Sequence, residues 1–115
     1  MAADCLFCRI IAGEIPSTRV DEDDRVLAIR DINPQAPTHI LLMHKTHIDS
    51  AQDLGKTDGG LLGSIFSMSA DLADREGVAA TGYRVVTNVG EDGGQSVDHL
   101  HFHLLGGRRF TWPPG

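Results

Sequence analysis

A row of histidines constrains this chain more than any other feature. Histidines at positions 99, 101 and 103 alternate with Leu100, Phe102 and Leu104. Side chains of a β-strand point alternately to its two faces, so the pattern predicts a strand over 97–105 with all three imidazoles on one face. The opposite, apolar face would pack on a core, and the imidazole face would line a site.

A metal centre is the main alternative for such a row. Same-face neighbours on a strand lie about 6–7 Å apart, which puts His99 and His103 about 13 Å apart. Two imidazoles could share a zinc ion with Zn–N bonds of about 2 Å, but three ligands to one ion would require a sharp bend. Different roles for the three imidazoles fit this spacing better.

The residues before the row indicate a phosphate site. Gly93 and Gly94 allow main-chain N–H groups to point into a concavity that attracts anions. Gln95 and Ser96 add side-chain donors. A turn hydroxyl is the commoner role for a serine in such a setting, but the direct connection of this segment to the histidines favours the functional interpretation.

Composition limits the classes of protein that the chain can belong to. Its 115 residues predict one compact domain over 1–115, and 41% hydrophobic with 23% charged residues is ordinary for a globular protein. A net charge of −6 argues against a nucleic-acid partner. The longest apolar run, near Ile40–Met43, is too short to span a membrane and no signal peptide is visible, so we expect a cytoplasmic protein.

The rest of the pattern predicts two helices and four further strands. Asp4 would cap a short helix over 5–12, which Gly13 ends. A long helix would begin at Thr57 or Asp58 and end at Gly77, because apolar residues recur at helical spacing over 61–72. The remaining strands are predicted over 18–21, 25–30, 39–44 and 83–89. The fold class is therefore α+β, with an antiparallel sheet of about five strands, one long helix and one short helix.

Several segments together resemble the histidine triad (HIT) family, in particular its Hint branch. The row at 99–105 matches the family's pattern of alternating histidines, and segments 4–11 and 31–39 match as well. The ending Trp112-Pro113-Pro114-Gly115 is typical of the Hint branch. The resemblance implies a HIT-like fold and a homodimer in which the two sheets join, with the tail and Trp112 reaching towards the partner's site.

The resemblance also implies a catalytic role for each residue of the row. His101 would attack the α-phosphorus of a nucleotide, while the main-chain carbonyl of His99 holds its other ring nitrogen. His103 would stabilise charge on the phosphate, and Ser96 would help to protonate the leaving group. Water would then hydrolyse the nucleotidyl-histidine, and no metal is required for these steps.

The nucleotide site is implied in the same way. Asp31 would accept hydrogen bonds from the ribose, and Asn88 would contact phosphate and ribose, although each could also be an ordinary turn residue. Main-chain and side-chain groups of Gly94, Gln95 and Ser96 would bind phosphate beside the histidines. The purine pocket would be formed by apolar residues that could equally belong to the core: Leu6, Phe7, Ile10, Ile29 and Ile32.

The pair Cys5-x-x-Cys8 leaves two interpretations open. A redox pair normally follows a strand, whereas nothing precedes this one. The alternative is a structural zinc ion with His47 and His99 as further ligands, as in some members of the family.

Together these features predict a hydrolase that cleaves the P–N bond of purine nucleoside 5′-phosphoramidates, of the AMP or GMP type. A dinucleoside polyphosphate hydrolase is the enzymatic alternative. A nucleotide-binding regulatory module without catalysis is the alternative from another class.

Overall fold

Five antiparallel strands form a single sheet in a computed structural model of the chain, which describes residues 4–55 and 58–115. The order across the sheet is β1-β2-β3-β5-β4. The strands are β1 (Arg19–Glu22), β2 (Val26–Arg30), β3 (Thr38–His44), β4 (Tyr83–Val86) and β5 (His101–Gly106). The helices are α1 (Leu6–Ile11) and α2 (Gly59–Arg75), with a short 3₁₀ turn at Ala51–Asp53. The α+β architecture predicted from the sequence is confirmed.

Each face of the sheet is covered by one helix. Alternate residues of the strands pack with the apolar stripe of α2 on one face, and their neighbours pack with α1 on the other. The central strand β3 is buried on both faces, in agreement with the apolar run at residues 40–43. The core on the α1 side consists of Phe7, Ile10, Leu27, Ile29, Leu41 and Met43.

Helix α1 begins differently from the prediction. Its N-cap is Cys5 and not Asp4, because the Cys5 Sγ atom accepts a hydrogen bond of 3.4 Å from the Cys8 main-chain N–H. The helix ends at Ile11 with Ala12 as its C-cap, and Gly13 follows as the predicted stop, with a φ of +81° that suits glycine. The Cys5 thiol therefore caps the helix and lies close to Cys8.

Strands β4 and β5 are shorter than predicted, ending at Val86 and beginning at His101. The reason is that segment 97–100 makes its main-chain hydrogen bonds elsewhere. The Leu100 N–H donates to the Ile48 carbonyl at 2.6 Å, and the His99 N–H donates to the nearby Val97 carbonyl at 2.8 Å. These residues hold the chain beside β3 without forming a ladder with β4.

An ion pair fastens the end of α2 to the strands that lead into the site. Glu76 accepts two hydrogen bonds of 2.8 Å from the Arg30 guanidinium, and Thr38 donates a weaker one. Arg30 ends β2 and Thr38 begins β3, so one carboxylate ties both strands to the helix. Asp58 occupies the N-cap position at the other end of α2 without a side-chain cap bond, while Thr57 lies outside the described residues.

The carboxyl-terminal tail lies along β4 of its own chain. The Arg84 guanidinium donates to the main-chain carbonyls of Thr111 and Pro114, and it also stacks over the Phe110 ring. Trp112 is 86% exposed. Among the residues that the structure describes, no helix is long and apolar enough to cross a membrane.

We predict that Glu76→Gln lowers the free energy of unfolding by about 1 kcal/mol at pH 7. The substitution removes a charge-assisted pair, and the partial exposure of that pair keeps the loss small. Arg30 lowers the pKa of Glu76 below its usual 4.5. The contribution is therefore present above about pH 4.5 and is lost as the pH falls through the folded-state pKa. Urea unfolding at pH 7 and at pH 3 measures it. Glu91→Gln, in an exposed loop, is the control, and equal losses at both pH values would contradict the prediction.

Candidate active site

Two histidines of the row lie side by side on the α1 face of the sheet. His101 is opposite Met43 and His103 is opposite Leu41, both of which belong to the α1-side core. The intervening Phe102 packs on the α2 side. The His101 and His103 rings are 5.2 Å apart between centroids. The alternation of the sequence therefore puts these two imidazoles and Phe102 on opposite faces of the sheet, as predicted.

His101 is held in one tautomer by a main-chain carbonyl. Its Nδ1–H donates to the His99 carbonyl at 2.6 Å. A carbonyl can only accept, so the hydrogen is on Nδ1 and the Nε2 atom keeps its lone pair. Burial lowers the pKa of His101, which is only 5% exposed. The arrangement presents a neutral imidazole with a free nitrogen, as nucleophilic catalysis requires.

His103 is oriented by a residue that the sequence analysis did not single out. The Gln35 N–H donates to His39 Nδ1 at 3.0 Å, so the hydrogen of the His39 ring is on Nε2. That Nε2 lies 2.9 Å from His103 Nδ1 and donates to it. The remaining nitrogen of His103 then carries a hydrogen and can donate to an anion. The two neighbouring imidazoles thus present opposite groups, a lone pair on His101 and an N–H on His103.

The group of Asp31, His39 and His103 has ligand atoms close enough for a metal ion, all within 4.8 Å. The hydrogen bond from Gln35 argues against that interpretation, because it leaves the His39 Nε2 atom protonated and unable to bind a cation. Asp31 Oδ2 lies 3.4 Å from the same Nε2, whose one hydrogen is already donated to His103. This group therefore works as a chain of hydrogen bonds.

The glycine-rich turn before the row is fastened by the Gln95 amide. Its Oε1 accepts from the Gly90 N–H at 2.9 Å, and its Nε2 donates to the Asp49 and Val97 carbonyls. Both ends of this amide are engaged within the protein, so its side chain holds the loop in this structure. Ser96 is exposed next to it, and Gly94 has a φ of +79° that suits glycine. A side chain at Gly93 would lie 2.2 Å from the Val89 carbonyl oxygen, so only glycine fits there.

The other residues predicted to contact the nucleotide differ in their position in the fold and in their exposure. Asp31 follows β2 directly, at the end of the sheet where β5 finishes. Asn88 follows β4 at the other end, where β5 begins, and donates to the Gly93 carbonyl at 2.7 Å. Leu6 is 45% exposed and Ile32 is 99% exposed, so both are free to contact a ligand. The remaining predicted pocket residues, Phe7, Ile10 and Ile29, are buried in the α1-side core.

Beside the row, two cysteines and two histidines form a cluster of four potential ligands. His99 Nδ1 lies 3.2 Å from Cys5 Sγ, 3.4 Å from Cys8 Sγ and 3.2 Å from His47 Nδ1. Cys8 Sγ is 3.3 Å from His47 Nδ1. Atoms bound at about 2.0–2.3 Å to one tetrahedral ion lie roughly 3.3–3.8 Å apart. The spacing of the cluster is therefore close to that of a zinc site.

The outer hydrogen bonds of this cluster support the same conclusion. His99 Nε2 donates to the His44 carbonyl at 2.6 Å, and His47 Nε2 contacts Asp49 Oδ1 at 2.7 Å. Both Nδ1 atoms then carry lone pairs and face each other, which is unfavourable without a cation between them. A carboxylate or carbonyl on the outer nitrogen is the usual arrangement of a zinc-binding histidine. The donor set and its geometry fit zinc.

Comparisons with known proteins identify relatives over nearly the whole chain. The family model described as HIT domain matches residues 12–110. Purine nucleoside phosphoramidase of Escherichia coli (strain K12) is 46% identical over 108 residues, or 94% of this chain and 91% of the relative. A 14 kDa zinc-binding protein of Zea mays is 51% identical over 113 residues, or 96% of this chain and 87% of the relative.

Solved structures agree with the sequence relatives. A HIT family hydrolase from Legionella pneumophila Philadelphia 1 superposes with a TM-score of 0.95 at 54% identity, covering 97% of this chain and 100% of that one. A histidine triad protein from Clostridium difficile gives a TM-score of 0.91 at 48% identity, covering 95% of each chain. The chain belongs to the HIT family.

We predict that the His103 imidazole stays neutral down to about pH 4. Burial is the main cause of its lowered pKa of about 4, followed by the neighbouring His101 and His39 rings, while Asp31 opposes them. In the unfolded chain the imidazole of residue 103 takes up a proton near pH 6.5, whereas the folded chain does so only near pH 4. The free energy of unfolding is therefore unaffected by this group above pH 6.5 and falls as the pH decreases towards 4. An NMR titration of the ring carbons, assigned with His103→Gln, measures the pKa. A midpoint at 6 or above would contradict the prediction.

Proposed function

We propose that this HIT-family hydrolase cleaves the P–N bond of purine nucleoside 5′-phosphoramidates through a nucleotidyl-histidine intermediate on His101. One observation carries the proposal: a buried imidazole with its lone pair on Nε2 stands beside a second imidazole that offers an N–H. This pair supplies a nucleophile and a donor for the phosphate oxygens at one point. The E. coli relative named purine nucleoside phosphoramidase supports the same reaction.

In the first step His101 Nε2 attacks the α-phosphorus. The electron pair of the P–N bond goes to the leaving nitrogen, which takes a proton and departs as the amine, and Ser96 helps to deliver that proton. The new bond joins phosphorus to Nε2, which puts positive charge on the ring. The His99 carbonyl, 2.6 Å from His101 Nδ1, stabilises that charge, and the His103 N–H stabilises negative charge on the phosphate.

In the second step water attacks the same phosphorus from the nucleotidyl-histidine. The electron pair of the bond from phosphorus returns to Nε2, the water oxygen stays on phosphorus, and the proton that water loses passes to solvent and replaces the one taken by the amine. AMP is released, and His101 returns to its neutral tautomer. The buried His99 carbonyl keeps the hydrogen on His101 Nδ1 throughout. After the step the ring therefore has the tautomer that can attack again. No oxidation or reduction occurs in either step.

The binding residues follow from their positions around this pair. Asp31, which already accepts from the Asn33 N–H through Oδ1, is proposed to accept from the ribose hydroxyls through its other oxygen. Main-chain groups of Gly94 and Ser96, with the Asn88 amide, are proposed to contact phosphate. Leu6 and Ile32, both apolar and exposed, are proposed to contact the purine. In this scheme Phe7, Ile10 and Ile29 support the pocket from behind, and Gln95 supports the loop.

We propose that Cys5, Cys8, His47 and His99 hold one zinc ion with a structural role. It would supply no chemistry to the reaction and would tie α1 to the segment that precedes β5. Burial and the adjacent Cys5 raise the pKa of the Cys8 thiol to about 11, and a bound cation would counteract this effect. The Zea mays relative named as a zinc-binding protein supports the assignment.

We also propose a homodimer. Strand β4 lies at an edge of the sheet, where its outer main-chain groups can pair with another chain. Phe66 of α2 packs edge-on against Phe102 of β5 and is 52% exposed, which provides apolar surface near that edge. A purine nucleotide is the proposed small-molecule partner.

His101→Ala is expected to reduce the hydrolysis of a fluorogenic adenosine phosphoramidate by about 10⁴-fold or more, since it removes the nucleophile. Steady-state kinetics of both proteins measure the loss, and circular dichroism confirms that the variant is folded. Retained activity in the variant would contradict the mechanism. An inactive wild type that still binds AMP would favour the regulatory module, and activity on dinucleoside polyphosphates alone would favour the other hydrolase.

We expect the purified protein to contain about one zinc ion per chain, and Cys8→Ser to abolish this content. His39→Gln is the matched control, because it disrupts the other group of potential ligands and should retain the zinc. Elemental analysis after dialysis measures both. Zinc that is kept by Cys8→Ser and lost by His39→Gln would place the ion in the wrong group and overturn the assignment.

A further inference from the structure

His99 belongs to both the cysteine–histidine cluster and the catalytic pair. Its ring nitrogen Nδ1 lies among the cluster atoms, and its main-chain carbonyl accepts the hydrogen bond from His101. The residue is completely buried. One residue therefore connects the proposed metal ligands directly to the group that sets the tautomer of the nucleophile.

We propose that the cysteine–histidine cluster, with its metal ion bound, positions His101 for catalysis through His99 and the 99–100 peptide unit. This inference rests on the proposed function of His101 and on the proposed zinc site. It gives the cluster a second role besides fastening α1, and it makes His99 and His47 positioning residues.

The peptide unit between His99 and Leu100 is held from both sides. Its carbonyl faces His101 Nδ1, and its N–H donates to the Ile48 carbonyl at 2.6 Å. Ile48 directly follows His47, so the two histidine ligands of the cluster flank the two hydrogen bonds of this peptide. A shift of either ligand therefore changes the direction of the carbonyl that His101 uses.

A second contact leads from the cluster to the nucleophile through α1. The helix carries Cys5 as its cap and Cys8 in its first turn, and it places Phe7 between them. The Phe7 ring packs edge-on against His101, with 4.8 Å between centroids, and against His99 at 5.9 Å. Binding of both thiols to one ion would hold this ring in place against the nucleophile.

Loss of the ion would change this arrangement for an electrostatic reason. The Nδ1 lone pairs of His47 and His99 face each other at 3.2 Å, and each Nε2 already has an outer partner. Without a cation the repulsion between these lone pairs moves the two rings apart. This movement tilts the 99–100 peptide, and His101 then loses the acceptor that keeps its hydrogen on Nδ1.

The expected signature is a loss in kcat rather than a rise in KM. His103 is oriented by His39 and Gln35, which do not contact the cluster, so its contact with the phosphate is independent of the metal. A small displacement of the attacking atom is sufficient to slow such a reaction by about 100-fold.

The test compares metal-loaded wild type, wild type stripped with a chelator and reloaded with zinc, and Cys8→Ser. The control is Ile15→Ala, which removes a partly buried side chain of the α1-side core that is neither a ligand of the cluster nor a proposed substrate contact. Three quantities are measured on each folded protein: zinc content, the ring-nitrogen NMR signals of His101, and kcat with KM on the adenosine phosphoramidate.

We expect the two metal-free proteins to lose the Nδ1–H signal of His101 and about 100-fold in kcat, with KM nearly unchanged. Reloading should restore both, and Ile15→Ala should resemble wild type. A folded metal-free protein with unchanged tautomer and kcat would overturn the inference. Unfolding of every metal-free form would also overturn it, because the cluster would then only fasten the fold. If loaded wild type does not hydrolyse the substrate, the proposed function fails, while the NMR signal still decides the coupling.

Discussion

The hydrogen bond from the His101 imidazole to the His99 carbonyl is the interaction on which the site depends. A buried imidazole must satisfy its N–H, and a carbonyl can accept but never donate. The pairing therefore decides which nitrogen of His101 carries a lone pair. The strand, the glycine-rich turn and the cysteine–histidine cluster all act on this bond by placing the 99–100 peptide beside β3.

Burial and hydrogen bonding divide the histidines into distinct roles although they lie close together. Desolvation keeps His101 and His103 neutral, so they do not repel each other as two cations would. His39 passes a hydrogen to His103, whereas His99 receives one from His101. These different partners let an acidic chain with a net charge of −6 offer a few local donors to an anionic phosphate without a basic surface.

Sequence reasoning identified most of this site but not all of its connections. The alternating row predicted a strand with imidazoles on one face, and the resemblance supplied His47 and His99 as partners of the cysteine pair. It missed His39, which lies on β3 diagonally across from His103. Only the strand register, in which His39 is opposite Leu105, brings these two rings together. The Gln95 side chain was predicted to face phosphate, but in the structure both ends of its amide hold the loop.

The sequence by itself determined the elements and their faces, because the periods of two and of 3.6 residues follow directly from the geometry of one strand or helix. It also indicated a glycine-rich turn before the row, whereas the contact that excludes a side chain at Gly93 was visible only in the structure. Only the tertiary structure decided the tautomer of His103, which is set through His39, and the start of β5 at His101, which follows from the hydrogen bond between Leu100 and Ile48. Both depend on a partner far away in the chain, and local periodicity carries no information about which distant atoms meet.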